Sequence, residues 1–330
     1  MKICLLYDHQ DAPFGGVNTF FRNFSELAQN DSNITVVKSG DISDIVLTSG
    51  SMRSPKKILK DYQLLNVASG RSLGSPVGRV TKKKKAKVVF RVDGLKQIYT
   101  KERVGRTTDD RLIKNIKNAD AVIYQSNYSR ECFAGRGMLL PDDNIVITNG
   151  ANNHGYKVDR KSLARNQRLQ LVSSSWSMNE NKGFSTIAQF SCSDQVNIVH
   201  IGRWPSKIDP ERVKVLGVKH YLEVPQILAN FHYLLFPSRN EACSNTVVEA
   251  LSVGLPVLYH PSGGTSELCA NESYGIRLPN GTNGMQGVEQ FLIRAREEYC
   301  ELSERVSDNL ALFQYENCYY KYINYFTSLL

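Results

Sequence analysis

Short apolar runs alternate with longer segments of helical periodicity in both halves of this 330-residue chain. In the first half, Ile3–Tyr7, Val88–Val92 and Ala121–Tyr124 have the length and residue types of buried strands. The second half repeats the pattern at Leu169–Ser173, Val196–Ile201, Lys219–Leu222, Tyr233–Phe236 and Pro256–Tyr259. Strands that alternate with helices form parallel sheets, since each crossover returns the chain to the same end of the sheet. The sequence therefore predicts an α/β protein.

A turn-rich stretch separates the two halves. Residues 149–155 read Asn-Gly-Ala-Asn-Asn-His-Gly and lead into a charged segment, as is typical of a linker. Each half is long enough to bury its own core, so we predict domains over residues 1–155 and 156–311. We expect the tyrosine-rich helix at about 312–330 to pack back on the first domain, and an interfacial membrane contact is its alternative.

Composition excludes disordered, collagenous and membrane-spanning proteins. Apolar residues make up 41% of the chain and charged residues 22%. No apolar run approaches the ~20 residues that span a bilayer. Asp8 and His9 interrupt the first apolar run, which indicates a buried strand rather than a signal peptide. We therefore expect a cytoplasmic protein.

The net charge of +9 lies entirely in the first half. Residues 1–150 hold 24 Lys and Arg against 15 Asp and Glu, whereas residues 151–330 hold 17 of each sign. The densest basic run is Lys82–Lys87, which is either a solvated loop or a surface for anionic lipid. We expect peripheral contact with an anionic membrane. No nucleic-acid-binding motif accompanies the lysines, so nucleic acid is not an expected partner.

Gly15 and Gly16 lie between the first predicted strand and a helix that we expect to start near Asn18 or Thr19. Paired glycines let the backbone approach a ligand, and a helix N-terminus favours an anion. A tight strand-to-helix turn is the alternative. The pair lacks the G-x-G-x-x-G spacing that an NAD-dependent dehydrogenase would need.

Two carboxylates flank a predicted helix start in the second half. Glu241 precedes a helix that begins around Ser244–Thr246, and Glu249 lies about one turn inside it. Free N–H groups between two hydrogen-bond acceptors match a sugar nucleotide, which has hydroxyls at both ends and a diphosphate between them. The alternative for Glu249 is a capping box with Thr246.

These residues resemble the donor-domain signature of the retaining GT-B glycosyltransferases of family 4. The resemblance rests on the Glu-x7-Glu pair, the run Ala250–Val257 and the loop Ser262–Glu267, with further matches at Asp120–Ser126 and Lys182-Gly183. It implies a GT-B fold of two Rossmann-like domains that face a central cleft. The first domain would hold the acceptor and the second the nucleotide sugar, with no cofactor and no bound metal.

The resemblance also implies a role for each matching position. Glu249 would bind the ribose hydroxyls, Glu241 would face the donor sugar, and Lys182 would neutralise the departing diphosphate. Gly15 and Gly16 would close over the donor from the first domain. The remaining donor contacts would come from the segment Ala242, Cys243, Ser244, Asn245 and Thr246.

Two positions depart from the family pattern. Many members have an arginine five residues before the lysine, where this chain has Ser177. Arg203 is a candidate for the second cation or for a contact to the base, and a surface arginine is the alternative. Where many members carry a histidine, the chain reads Arg91-Val92-Asp93-Gly94, so Asp93 would contact the donor sugar or the acceptor hydroxyl. A turn-forming aspartate is its alternative, and the general base stays open.

The leading hypothesis is a glycosyltransferase that acts with retention in glycan or glycoconjugate synthesis, on a glycan or lipid-linked acceptor. Front-side attack guided by the diphosphate is the mechanism that the resemblance implies. A nucleotide-sugar epimerase on the same fold is one alternative. A non-catalytic basic protein that binds a membrane or nucleic acid and keeps a vestigial sugar-nucleotide site is the other.

Overall fold

The computed structural model describes residues 1–7, 15–37, 41, 43–49, 86–98, 109–110, 112–113, 116, 119–136, 141–159, 163, 167–279 and 284–330. Of the basic run, Lys82–Lys85 lie outside the described residues. The chain divides into two compact units. One consists of Met1–Thr148 with Cys318–Leu330, and the other of Asn149–Asn317. The predicted linker at 149–155 therefore lies in the second unit, where the Ala151 N–H donates to the Phe313 carbonyl at 2.9 Å.

The first unit is built on a six-stranded sheet in the order β2-β1-β3-β4-β5-β6, with every pair parallel. Its strands are β1 (Lys2–Leu6), β2 (Thr35–Val37), β3 (Ile45–Thr48), β4 (Lys87–Val92), β5 (Ala121–Tyr124) and β6 (Asn144–Val146). Its described helices are α1 (Gly15–Asn30), a 3₁₀ turn at Lys96–Ile98 and α2 (Asn127–Ala134). The strands β3 and β5 are buried along their whole length, as expected where helices cover both faces of a parallel sheet.

The C-terminal residues complete the core of the first unit. The Tyr319 hydroxyl donates to an Asp31 carboxylate oxygen at 3.0 Å. Tyr322 and Phe326 are fully buried, and their rings lie 6.0 and 6.3 Å from the ring of Phe24 on α1. These three buried aromatic residues therefore serve packing within the unit.

The second unit contains another six-stranded parallel sheet, in the order β12-β11-β10-β7-β8-β9. Its strands are β7 (Leu169–Ser175), β8 (Val196–Gly202), β9 (Lys214–Val215), β10 (Tyr233–Phe236), β11 (Val257–Tyr259) and β12 (Gly275–Arg277). After β7 the next strands, β8 and β9, are added on one side of it, whereas after β10 the strands β11 and β12 are added on the other side of the sheet. The point between β7 and β10 is the topological switch point, beside which parallel sheets commonly bind ligands.

Helices cover both faces of the second sheet. They are α3 (Phe184–Ser191), α4 (Val224–Leu228), α5 (Asn245–Ser252), α6 (Thr265–Leu268), α7 (Gly284–Asp308) and the first residues of α8 (Tyr315–Ser328), with 3₁₀ turns at Glu180–Lys182 and Leu310–Phe313. Along β10, Leu234 and Phe236 pack into one core cluster, whereas Tyr233 and Leu235 pack into the other. The expected α/β class is confirmed, and the sheet is buried on both faces.

The strand predicted at Lys219–Leu222 is wrong. Residues 221–223 form a turn in which the Glu223 carboxylate accepts the His220 N–H at 2.9 Å, directly before α4. The edge strand next to β8 is instead β9, which follows Val213. No helix in the described part of the chain combines the length and apolar character that crossing a bilayer requires.

Candidate functional site

Lys182 and Glu241 meet at the switch point of the second sheet. Lys182 ends the 3₁₀ turn after β7, and Glu241 lies in the loop after β10. The Lys182 Nζ atom lies 2.5 Å from the Glu241 Oε1 atom, and the side chains are 22% and 16% exposed. The pair is thus shielded from bulk water yet still reachable by a ligand.

Three local features hold these two residues in place. The Ser238 hydroxyl donates to Glu241 Oε1 at 2.6 Å, so one oxygen accepts from both a hydroxyl and an ammonium. The Arg239 N–H donates to the Asn181 carbonyl at 2.8 Å, which ties the two loops together. Gly183 has a φ of +71°, and a Cβ there would lie 2.8 Å from the Pro237 side chain. Only glycine therefore permits this close approach.

The helix α5 begins directly after this loop. Ser244 is its N-cap residue, and Asn245 and Thr246 are its first two residues. The first-turn N–H groups of an α-helix have no intrahelical acceptor and carry partial positive charge. Ala242 and Ser244 are buried, whereas Cys243 is partly buried. Glu241 and α5 thus place a carboxylate and a helix end with partial positive charge side by side.

Glu249 lies inside α5, on its second turn, and is partly buried. A capping box would require Thr246 as the N-cap residue, but the helix begins at Asn245. That alternative is wrong. The Asn245 side chain accepts from the Asn149 amide at 2.8 Å.

Arg203 follows β8, the strand next to β7. Its guanidinium carbon lies 4.1 Å from the centre of the Trp176 ring, and Trp176 follows β7 directly. The Arg203 carbonyl lies 3.1 Å from Nε2 of buried His200, whose Nδ1 lies 2.8 Å from the Ser173 hydroxyl. Burial lowers the pKa of His200 to about 4, so the ring is neutral near pH 7. Arg203 is therefore an exposed cation on a fixed loop, oriented by an aromatic ring.

Asp93 lies at the carboxyl end of β4 in the first unit. Its Oδ1 atom accepts from the Arg91 guanidinium at 2.7 Å and from the Gln125 amide. Arg91 is fully buried, with its guanidinium carbon 4.3 Å from the centre of the Phe20 ring. The carboxylate of Asp93 thus bonds to neighbouring side chains, and it keeps 26% of its surface exposed.

Gly15 and Gly16 are the first two residues of α1. The expected helix start near Asn18 or Thr19 is wrong, because Asn18 is buried inside the first turns of this helix. Residues 8–14, which connect β1 to the helix, lie outside the described residues.

The sequence analysis assigns no individual role to four residues that shape the site. Trp176 orients Arg203, Ser238 bonds to Glu241, and His260 and Ser262 hold the loop that contains Glu241. Ser262 opens the glycine-containing loop that carried part of the resemblance, and a hydroxyl beside two glycines was a usable signal. Nothing in the sequence pairs Trp176 with Arg203. Within the described residues, no three His, Cys, Asp or Glu side chains form a group that could hold a metal ion.

Comparison with known proteins agrees with this architecture. The family model for "Glycosyl transferases group 1" matches residues 185–292, which include Glu241, α5 and Glu249. HepE of Anabaena, solved in complex with UDP-glucose, superposes with a TM-score of 0.71 at 17% identity and covers 99% of this chain and 100% of its own. The fold is GT-B. Sucrose-phosphate synthase from Thermosynechococcus elongatus shares this GT-B fold, with a TM-score of 0.70, 15% identity and coverage of 99% of this chain and 98% of its own.

One curated relative matches the GT-B chain in sequence. It is the phosphatidylinositol N-acetylglucosaminyltransferase gpi3 subunit of Schizosaccharomyces pombe, 27% identical over 200 residues. The match covers 54% of this chain and 43% of the relative, so the chain spans less than half of that protein's length.

Proposed function

We propose that the protein is a glycosyltransferase that moves a sugar from a nucleotide diphosphate to an acceptor hydroxyl with retention of anomeric configuration. The observation that carries the proposal is the Lys182–Glu241 pair, which lies at the switch point beside the N-terminus of α5. A cation, a carboxylate and a helix N-terminus are the groups that a sugar diphosphate needs. The group 1 match over residues 185–292 supports the same reaction class.

In this proposal the second unit stabilises the leaving diphosphate. The Lys182 ammonium and the N–H groups of Asn245 and Thr246 would meet the negative charge that develops as the glycosidic bond breaks. Glu241 would accept hydrogen bonds from the donor sugar, and Glu249 from the ribose. Arg203 would supply the second cation, because it follows the strand next to β7 and reaches Trp176, which directly precedes Ser177. No metal is required, since these groups supply the positive charge.

The donor that we propose is a UDP-sugar, since HepE, which shares the fold, was solved with UDP-glucose. For the acceptor we propose a lipid-linked molecule, in line with the name of the Schizosaccharomyces pombe relative. Asp93 would contact the acceptor hydroxyl or the donor sugar from the carboxyl end of β4. Attack would come from the front side, guided by the departing diphosphate.

The first test is nucleotide release from UDP-, GDP- and ADP-sugars by purified protein, without acceptor and with EDTA present. We expect slow hydrolysis of UDP-sugars, at least tenfold weaker in Lys182→Met and Glu249→Gln. Glu301→Gln is the matched control, because Glu301 is a solvent-exposed carboxylate on α7 that pairs with Arg305. If no nucleotide is released either with EDTA or with Mg²⁺ present, and no nucleotide raises the melting temperature, the proposal is wrong.

The products separate this reaction from its alternatives. A sugar that changes configuration in the donor without acceptor would identify an epimerase. With an acceptor, an anomeric proton coupling in the product that matches that of the donor demonstrates retention. Activity that disappears with EDTA and returns with Mg²⁺ would overturn metal independence.

Membrane contact is tested separately by sedimentation with vesicles. We expect more protein to pellet with vesicles that contain anionic phosphatidylserine than with neutral phosphatidylcholine vesicles, and less at high salt. Equal sedimentation with both would remove the proposed peripheral contact without affecting the proposed reaction.

A further inference from the structure

The backbone of Asn240 and Glu241 is held by the segment that follows β11, residues 260–264, which we call the clamp loop. The Asn240 N–H donates to the Ser262 hydroxyl oxygen at 3.0 Å. The Gly264 N–H donates to the Glu241 carbonyl at 2.8 Å. Between these bonds, a Cβ at Gly263 would lie 2.6 Å from that same carbonyl oxygen. The two segments are therefore packed backbone against backbone.

His260 sets the orientation of the Ser262 hydroxyl. Its Nδ1 atom lies 2.9 Å from Ser262 Oγ and also accepts the Ser262 N–H at 3.2 Å. Because His260 Nδ1 accepts the Ser262 N–H, it carries no proton of its own, so the Ser262 hydroxyl donates its proton to Nδ1. This arrangement needs a neutral ring with an unprotonated Nδ1. Burial, and then the charge of Arg239, lower the pKa of His260, which favours that form.

Asn240 has a left-handed backbone conformation. Its φ is +58°, in a region that asparagine enters more readily than other residues with a Cβ. The next residue is Glu241, whose side chain bonds to Lys182 and Ser238. A change at Asn240 would redirect the chain at Glu241 and move its carboxylate away from Lys182.

We propose that Ser262 and His260 are positioning residues that hold Glu241 against Lys182 through the backbone of Asn240. Neither residue needs to touch the substrate. The inference rests on the proposed function for its catalytic consequence, whereas its structural part can be measured without any ligand.

The first experiment is hydrogen–deuterium exchange of the unliganded protein, read on peptides that cover residues 237–245. Ser262→Ala removes the acceptor for the Asn240 N–H, so we expect exchange in this segment to become at least fivefold faster. Ser191→Ala is the matched control, because the Ser191 hydroxyl likewise accepts a backbone N–H, that of Arg212 at 3.1 Å, but lies outside the clamp loop and the Glu241 loop. His260→Leu should reproduce the effect of Ser262→Ala. Equal exchange of residues 237–245 in Ser262→Ala and Ser191→Ala would overturn the proposal.

The second experiment uses the sugar nucleotide that the wild-type protein hydrolyses. For Ser262→Ala we expect the donor KM to rise about five- to tenfold with a smaller change in kcat, while Ser191→Ala stays within twofold. Ser262→Thr keeps a hydroxyl and should restore the KM to within about threefold. Faster exchange with an unchanged KM would overturn the positioning role. If the wild-type protein hydrolyses no donor, the proposed function fails, and exchange still decides whether the clamp loop orders residues 240 and 241.

Discussion

Gly183 and Pro237 lie so close that any side chain at position 183 would collide with the proline ring. A Cβ on Gly183 would lie 2.8 Å from both Cβ and Cγ of Pro237 and 2.9 Å from its carbonyl oxygen. Gly183 directly follows Lys182, and Pro237 precedes Ser238. This contact therefore sets the spacing between the loops that carry Lys182 and Glu241.

We predict that Gly183→Ala lowers both the free energy of unfolding and donor hydrolysis. The left-handed φ alone costs about 1–2 kcal/mol for alanine, and the collision with Pro237 adds about 1–3 kcal/mol. Gly217→Ala is a matched control, since Gly217 also has a φ of +71° but would have no neighbour within 4 Å of a Cβ. Urea denaturation measures the free energy of unfolding of both variants, and nucleotide release measures donor hydrolysis. Equal destabilisation by the two variants would show that the contact with Pro237 carries no constraint.

A second prediction concerns the cation beside Trp176. If Arg203 binds the diphosphate, Arg203→Ala raises the donor KM about tenfold or more, because a charged hydrogen bond is lost. Trp176→Ala removes the aromatic ring on which the Arg203 guanidinium stacks and should raise the donor KM about threefold. In Trp176→Phe, which keeps a ring, the KM should stay near the wild-type value. The control is Arg212→Ala, an exposed arginine that pairs with Asp194. A donor KM that is unchanged in Arg203→Ala would show that Arg203 is a surface arginine that does not bind the diphosphate.

A third prediction concerns Arg91 and Asp93. Removing one partner of a buried pair leaves the other charge without compensation, so Asp93→Asn should destabilise the protein by about 2 kcal/mol, less than a fully buried pair would lose. Arg91→Met keeps apolar contact with Phe20 and removes the charge. The double variant should then be more stable than Asp93→Asn alone, by urea denaturation. Additive losses would mean that the 2.7 Å contact contributes no coupling.

Much of the fold could be predicted from the sequence, because strands that are buried on both faces have continuous apolar sequences. Tyr233–Phe236 and Ala121–Tyr124 begin and end where the sequence predicts. The strand predicted at Lys219–Leu222 does not form, because the Glu223 carboxylate accepts the His220 N–H and closes a turn before α4. A prediction from local apolar content does not take such hydrogen bonds between side chain and backbone into account.

Helix starts were harder to predict than strands. Asn18 and Thr19 are residue types that favour the N-cap, which is why the sequence predicted a start there. The helix begins at Gly15 instead, and Asn18 is buried within it. Burial inside the unit thus outweighed the local capping preference.

For the candidate site, the sequence identified the groups but not their pairing. Lys182 and Glu241 are 59 residues apart in sequence, and nothing in the sequence predicts that their side chains form an ion pair. Only the strand order places β7 beside β10 and brings the two side chains together. The contacts of Trp176 with Arg203 and of Ser262 with Asn240 depend on loop conformation, which hydrophobic periodicity does not encode.

The last prediction is a pH dependence of stability from His200. Burial lowers the pKa of this histidine to about 4 in the folded protein, against 6.5 when it is exposed. Between these values the unfolded chain takes up a proton that the folded protein does not, so the free energy of unfolding falls as the pH falls from 6.5 to about 4. The contribution is about 3 kcal/mol over that window, and it is fully present above pH 6.5.

His232 and His260 also have lowered pKa values and make stability depend on pH in the same direction, so the wild-type curve must be compared with that of His200→Gln. This variant loses stability at neutral pH, because the contacts to Ser173 and to the Arg203 carbonyl change, but its curve should be flatter below pH 6.5. Parallel curves from urea denaturation at pH 4.5–7.5 would show that His200 titrates normally and does not fix the Arg203 loop as a neutral ring.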